Sequence, residues 1–144
     1  MTPLQREKVL SEALSWLGTP YHHAACVKGG GVDCAMILTD VYHKAGLIPQ
    51  IDPRPYPPDW HLHRSEEKYL GWVEKYADKI EESEAAPGDL VLFSFGRCVS
   101  HGAIVMQWPT VLHAYRPEHE VVLTDVSRNP ALAARIASFY RVRN

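Results

Sequence analysis

Gly29-Gly30-Gly31-Val32-Asp33-Cys34-Ala35-Met36-Ile37-Leu38 brings together a glycine run, a carboxylate suited to capping, a thiol and the start of an apolar stripe. Asp33 is a good N-cap residue because its side chain accepts from the first unpaired N–H groups of a helix. Ile37, Leu38, Val41 and Ala45 then recur on one helical face until Gly46 stops the run. The reading places Cys34 in the first turn of that helix. There the positive end of the helix dipole and the free N–H groups lower a thiol pKa from about 8.5 into roughly the 3.5–7.5 range. Gly29, Gly30 and Gly31 let the backbone turn tightly and leave space for a substrate. A lone free cysteine is more often a buried structural residue, so a reactive Cys34 needs a partner.

Working outward, Thr2, Pro3 and Gln5 form a capping signature, and Leu10, Leu14 and Leu17 recur at helical spacing before Gly18. This predicts a helix over 3–17. Downstream, five prolines between Pro49 and Pro58 allow neither helix nor central strand. The residues before them are too few for an independent domain, so the stretch reads as an ordered excursion. Ser65 caps a predicted third helix over 66–79 that ends in a solvated charged run. After the turn Pro87-Gly88-Asp89 come four short runs of strand formers, Leu90 to Phe95, Gly102 to Gln107, Val111 to Tyr115 and Val121 to Val126. Asn129 and Pro130 start a short helix, and Ser138 to Val142 reads as a last strand. Helices first and an antiparallel meander afterwards is the α+β pattern.

The 144 residues fit one domain, 1–144, and 46% hydrophobic against 22% charged residues is enough apolar material for a core. Fifteen Lys plus Arg against seventeen Asp plus Glu leave a net charge of −2, with no basic excess for a nucleic-acid partner. No run approaches a membrane span, and Met1 to Arg6 leads into an amphipathic segment, so the expectation is a soluble chain without a signal peptide. Cys26, Cys34 and Cys98 cannot all pair, and no two are spaced as CxxC.

Of eight histidines, His22, His23, His43, His61, His63 and His119 fall on predicted loops or helix surfaces. His101 opens one predicted strand and His113 lies inside the next. With a turn near Trp108-Pro109, antiparallel pairing brings the two to within one or two registers of being opposite, on strands about 4.8 Å apart. One imidazole is then placed to orient the other, as in a cysteine-histidine triad. Zinc is the rival use of these imidazoles and of His61-x-His63, but no carboxylate or thiolate stands at ligand spacing.

In order along the chain, Gly18-Thr19-Pro20-Tyr21, Gly31-Val32-Asp33-Cys34, Pro87-Gly88-Asp89-Leu90, Ser100-His101-Gly102-Ala103-Ile104-Val105 and Leu112-His113-Ala114 resemble the NlpC/p60 family of papain-like cysteine peptidases. The resemblance covers nearly the whole chain. It implies an α+β papain-like fold with the nucleophile helix packed on a small antiparallel sheet. It further implies Cys34 as nucleophile, His101 as base, His113 as orienting residue, and Tyr21 helping the Cys34 N–H to form an oxyanion site. The implied substrate is a peptidoglycan stem peptide, cut between D-glutamate and a diamino acid, with no cofactor or metal. Asp33 either caps the helix or faces a substrate amine, and Trp60, among the prolines, is placed to wall a peptide groove.

Two features depart from the family pattern. Ala35 and Met36 stand where Ser and Gly are common, which removes a hydroxyl able to hold a substrate amine. The long stretch 46–79 resembles compact phage members of the family found at tail tips, which implies tail-tip or hub proteins as partners. The expected location is then the virion tail, or the bacterial cytoplasm before release. A tail-tip component without catalysis, and an amidase or acyltransferase with the same triad, are the alternatives. The intact Cys34, His101 and His113 set argues against the first.

Overall fold

The computed structural model describes residues 1–56 and 68–144. Among the described residues, four α-helices, α1 (Pro3–Leu14), α2 (Met36–Lys44), α3 (Lys68–Tyr76) and α4 (Pro130–Ala133), accompany eight strands. The strands are β1 (Cys26–Val27), β2 (Gly31–Val32), β3 (Ala77–Ile80), β4 (Leu90–Phe95), β5 (Cys98–Gln107), β6 (Thr110–Tyr115), β7 (Glu120–Asp125) and β8 (Ile136–Val142). β1 and β2 form a small ribbon, and the other six make one antiparallel sheet in the order β3-β8-β4-β5-β6-β7. This is the α+β arrangement expected from the sequence.

Side-chain alternation along β4 sets the layers. Leu90 and Leu92 face a core shared with Val9, Ala13 and Trp16 and with Ile37 and Val41 of α2. Val91 and Phe93 face a second core with Val105, Val111, Leu132 and Phe139. Both faces of this central strand are therefore dry, which is why it reads as a continuous apolar run.

α1 begins as expected, with the Thr2 and Gln5 capping box, but ends at Leu14. Its buried stripe also has another phase. Leu14 and Leu17 are exposed, while Val9, Ala13 and Trp16 turn inward. Both sets have helical spacing, and burying an indole outweighs burying another leucine. The third helix departs further from expectation: it stops at Tyr76, and Ala77–Ile80 is a strand that pairs with β8 from Ala77↔Val142 to Ile80↔Phe139. The β8 edge offers these residues a hydrogen-bond ladder, and exposed Asp78 and Lys79 suit an edge strand. Ser65, the expected cap, lies outside the described residues, as do Trp60, His61 and His63.

The turn before β4 is tied to both flanks by Asp89, whose side chain is fully buried. Arg141 donates to its two oxygens at 3.0 and 2.8 Å, Arg6 donates at 3.1 Å, and the N–H of Ala86 donates at 2.9 Å. One carboxylate thus joins α1, the turn and β8.

Candidate active site

Cys34 lies in the turn that opens α2, two residues before the regular helix, rather than within its first turn. Asp33 is still the residue that starts it. Its carbonyl accepts from the Ile37 N–H at 3.2 Å, and its Oδ1 accepts from the N–H groups of Ala35 at 3.2 Å and Met36 at 2.9 Å. Its Oδ2 accepts from the Ala24 N–H at 2.7 Å and from the Tyr56 hydroxyl. At 2% exposure, with both oxygens occupied inside the protein, this carboxylate anchors the turn that carries Cys34.

The strap that carries Tyr21 is held between β7 and β2. Gly18 N–H donates to the Val121 carbonyl at 3.0 Å, Tyr21 N–H to the His119 carbonyl at 2.8 Å, and Val32 N–H to the Pro20 carbonyl at 3.0 Å. The approach is close: a Cβ on Gly31 would stand 2.9 Å from the Cβ of His22. This seating brings Tyr21 to the wall of the cleft that Cys34 also lines.

His101 and His113 sit on β5 and β6. Ile104 faces Leu112, so His113 falls diagonally from His101, the wider of the two registers expected. The rings nevertheless meet, with His101 Nε2 2.7 Å from His113 Nδ1. His113 is fully buried, stacks on Tyr115 with ring centroids 4.5 Å apart, and has its Nε2 2.9 Å from Thr124 Oγ1. One assignment of the protons satisfies this row: Nε2–H of His101 donates to Nδ1 of His113, and Nε2–H of His113 donates to Thr124. Nδ1 of His101 is left to take a proton.

Protonation differs from the sequence expectation. Burial first, and then the charge of Asp33, push the Cys34 thiol up to about 12, against hydrogen bonds from Tyr21 and Tyr69 that pull it down. The N-terminal position in α2 does not outweigh this desolvation. Burial holds His101 well below its ordinary 6.5 and brings His113 down to about 3. The resting pair is a neutral thiol and a neutral imidazole, and the thiol points at the Ser100 carbonyl, 3.5 Å away.

Cys34, His101 and Tyr21 open on one cleft of about 330 Å³. Its walls include residues that sequence reading missed: Tyr56, which bonds Asp33; His23, 3.9 Å from Asp33; and Arg116 and Arg135 at the rim. Both arginines are exposed and form no ion pair among the described residues. Thr124 was legible once β7 is laid beside β6, since His113 faces Val122 and Thr124 is its diagonal neighbour. Tyr56 and Tyr69 had no local signal, because each arrives from a segment remote in sequence. Among the described residues no group of three or more His, Cys, Asp or Glu could hold a metal ion. Cys26 and Cys98 form no disulfide among the described residues and lie outside the cleft.

A thiol, an imidazole and a phenol at one cleft, with a second imidazole buried behind the first, suit the chemistry of a papain-like cysteine peptidase. The chain matches the NlpC/P60 family over residues 18–140 and belongs to that family of cell-wall cysteine peptidases. Comparison with curated proteins gives no match. Among solved structures, a lipoprotein-like NLP/P60 protein of Staphylococcus aureus is 21% identical with a TM-score of 0.73, over 100% of this chain and 43% of that one. The NlpC/p60 domain of the peptidoglycan hydrolase SagA is 20% identical with a TM-score of 0.67, over 95% of this chain and 98% of that one. The peptidoglycan hydrolase RipB of Mycobacterium tuberculosis is 19% identical with a TM-score of 0.65, over 97% and 65%. At such identities the likeness is one of fold. This chain spans less than half the length of the Staphylococcus aureus protein.

Proposed function

We propose that this chain is a cysteine endopeptidase acting on peptidoglycan stem peptides, at the amide between D-glutamate and a diamino acid. The observation that carries the reading is Cys34 and His101 at one cleft, with His113 buried behind His101 and the two imidazoles 2.7 Å apart. His101 Nδ1 takes the thiol proton as Sγ attacks the amide carbonyl, and charge builds on the carbonyl oxygen. The Cys34 N–H and the Tyr21 hydroxyl donate to that oxygen. Burial, then the charges of Cys34 and Asp33, raise the Tyr21 phenol far above its ordinary range, so it keeps its proton to donate. His101 returns its proton to the departing amine as the C–N bond breaks, and water, deprotonated by His101, releases the acyl group. His113 holds His101 in the tautomer this sequence requires. Arg116 and Arg135 give the rim a positive charge that suits a peptide rich in carboxylates. Asp33 contributes by seating Cys34, and Trp60 carries no part of the proposal.

The tail-tip setting draws on the long stretch after α2 and gains nothing from the fold or the relatives, so it stays outside this reading. Purified peptidoglycan fragments incubated with the wild type, Cys34→Ala and His101→Ala test it by mass analysis of the products. The expected result is cleavage by the wild type alone. Intact fragments throughout, or cleavage that survives Cys34→Ala, would overturn it.

A further inference from the structure

α3 lies in the long stretch 46–79 that departs from the family pattern, yet it carries a side chain to Cys34. Tyr69 is buried, and its hydroxyl donates to the carbonyl of Cys34 at 2.9 Å. It reaches that carbonyl across β5. A Cβ on Gly102, the residue after His101, would stand 2.8 Å from the Tyr69 hydroxyl and 2.9 Å from Leu38 Cδ1. The hydroxyl is thus wedged between the main chain of the nucleophile and the strand that carries the base. Only a residue without a side chain at 102 leaves it that room.

We propose that Tyr69 is a positioning residue for Cys34, reaching in from α3 to hold the nucleophile's main chain and to donate to its sulfur as negative charge develops there. A phenol has one proton to give. While the thiol is neutral, that proton goes to the Cys34 carbonyl; when His101 removes the thiol proton, the hydroxyl turns to the thiolate, and it turns back once the sulfur is acylated. Hydrogen bonds to an ionised acceptor are roughly twice as strong as neutral ones. The contact therefore strengthens along the reaction, and it serves kcat rather than substrate binding. Two electrostatic effects agree. The hydrogen bond from Tyr69 opposes the upward push of burial on the thiol, and burial keeps the Tyr69 phenol protonated.

The inference rests on the reading of Cys34 as nucleophile, but its test needs no substrate. Alkylation of Cys34 by iodoacetamide is followed by peptide mapping across pH in the wild type, Tyr69→Phe and Tyr42→Phe. Tyr42 is the control, since its buried hydroxyl donates at 2.8 Å to the Gly88 carbonyl, away from the cleft. In Tyr69→Phe the Cys34 rate falls roughly tenfold at a given pH and its profile moves to higher pH. Tyr42→Phe loses thermal stability with an unchanged profile. Where stem peptides are cut, Tyr69→Phe lowers kcat with KM unchanged. A Tyr69→Phe profile that superimposes on the wild type, whatever its melting temperature, overturns the proposal. Should Tyr69→Phe not fold, a 13C titration of the wild type decides instead: the Tyr69 ring carbon shifts in step with ionisation of Cys34, and independence of the two overturns it. Tyrosine-dependent alkylation in a protein that cuts no stem peptide would remove the substrate assignment and leave this one standing.

Discussion

Burial moves the pKa values of Cys34 and His101 in opposite directions and to the same end, since each is held in its neutral form. On the reading proposed above, such a dyad would work by general-base catalysis, with activity requiring His101 unprotonated rather than a standing ion pair. Because His101 is held well below 6.5, the acid limb of kcat/KM falls below pH 6.5, and the enzyme keeps most of its rate at pH 6. The profile of kcat/KM reports the free enzyme; an acid inflection at 6.5 or above would show that burial does not hold the imidazole down. The tautomer that frees Nδ1 of His101 depends on the row through His113 to Thr124. Thr124→Val removes the last acceptor at 2.9 Å, and kcat is expected to fall about threefold to tenfold with KM unchanged, while Thr124→Ser restores it. Equal kcat in wild type and Thr124→Val would mean that His113 needs no acceptor to keep its orientation.

The elements that hold these residues meet at Asp89, whose role goes unseen where Pro87-Gly88-Asp89 is read only as a turn. Asp89→Ala leaves Arg6 and Arg141 without their shared acceptor and is expected to cost about 2–3 kcal/mol. Urea denaturation measures this, and a loss below about 0.5 kcal/mol would show that solvent replaces the carboxylate. The contrast with what the sequence made legible is instructive. Cap chemistry and period survive translation into structure at α1 and β4, which stand where Thr2 and Leu90 announce them, whereas α2 starts at Met36, three residues after Asp33. Phase does not survive where two stripes share one helix, as with Leu14 against Ala13. Nor does element type at Ala77–Ile80, where a free strand edge outweighs helical continuity. The same boundary applies at the site. Cys34, His101, His113 and Tyr21 belong to motifs set by local chemistry, whereas Tyr56, Tyr69, Arg116 and Arg135 come together only when the chain folds.

Across the whole molecule, a chain of net charge −2 presents its cleft with Arg116 and Arg135 at the rim and one carboxylate, Asp33, beneath them. Such a rim favours anionic peptides, so Arg116→Gln combined with Arg135→Gln is expected to raise KM several-fold and to reduce its dependence on salt. A KM with the same salt dependence as the wild type would assign the attraction to other groups. The core has a pH consequence of its own. His113 is fully buried between strands with a pKa brought down to about 3, against 6.5 for the unfolded side chain. Its folded pKa is depressed, so below pH 6.5 the unfolded chain binds a proton that the folded chain refuses. Stability present above 6.5 is then lost as pH falls towards 3, at up to about 1.4 kcal/mol per pH unit for this one group. Carboxylates titrate in the same window, so the comparison must be with a variant that lacks only this proton. Between pH 7 and pH 4.5 the wild type should lose on the order of 2 kcal/mol more than His113→Asn, read from urea midpoints at the two pH values. Equal losses would mean that the folded protein admits the proton, and that the imidazole row is not the dry, neutral pair its burial implies.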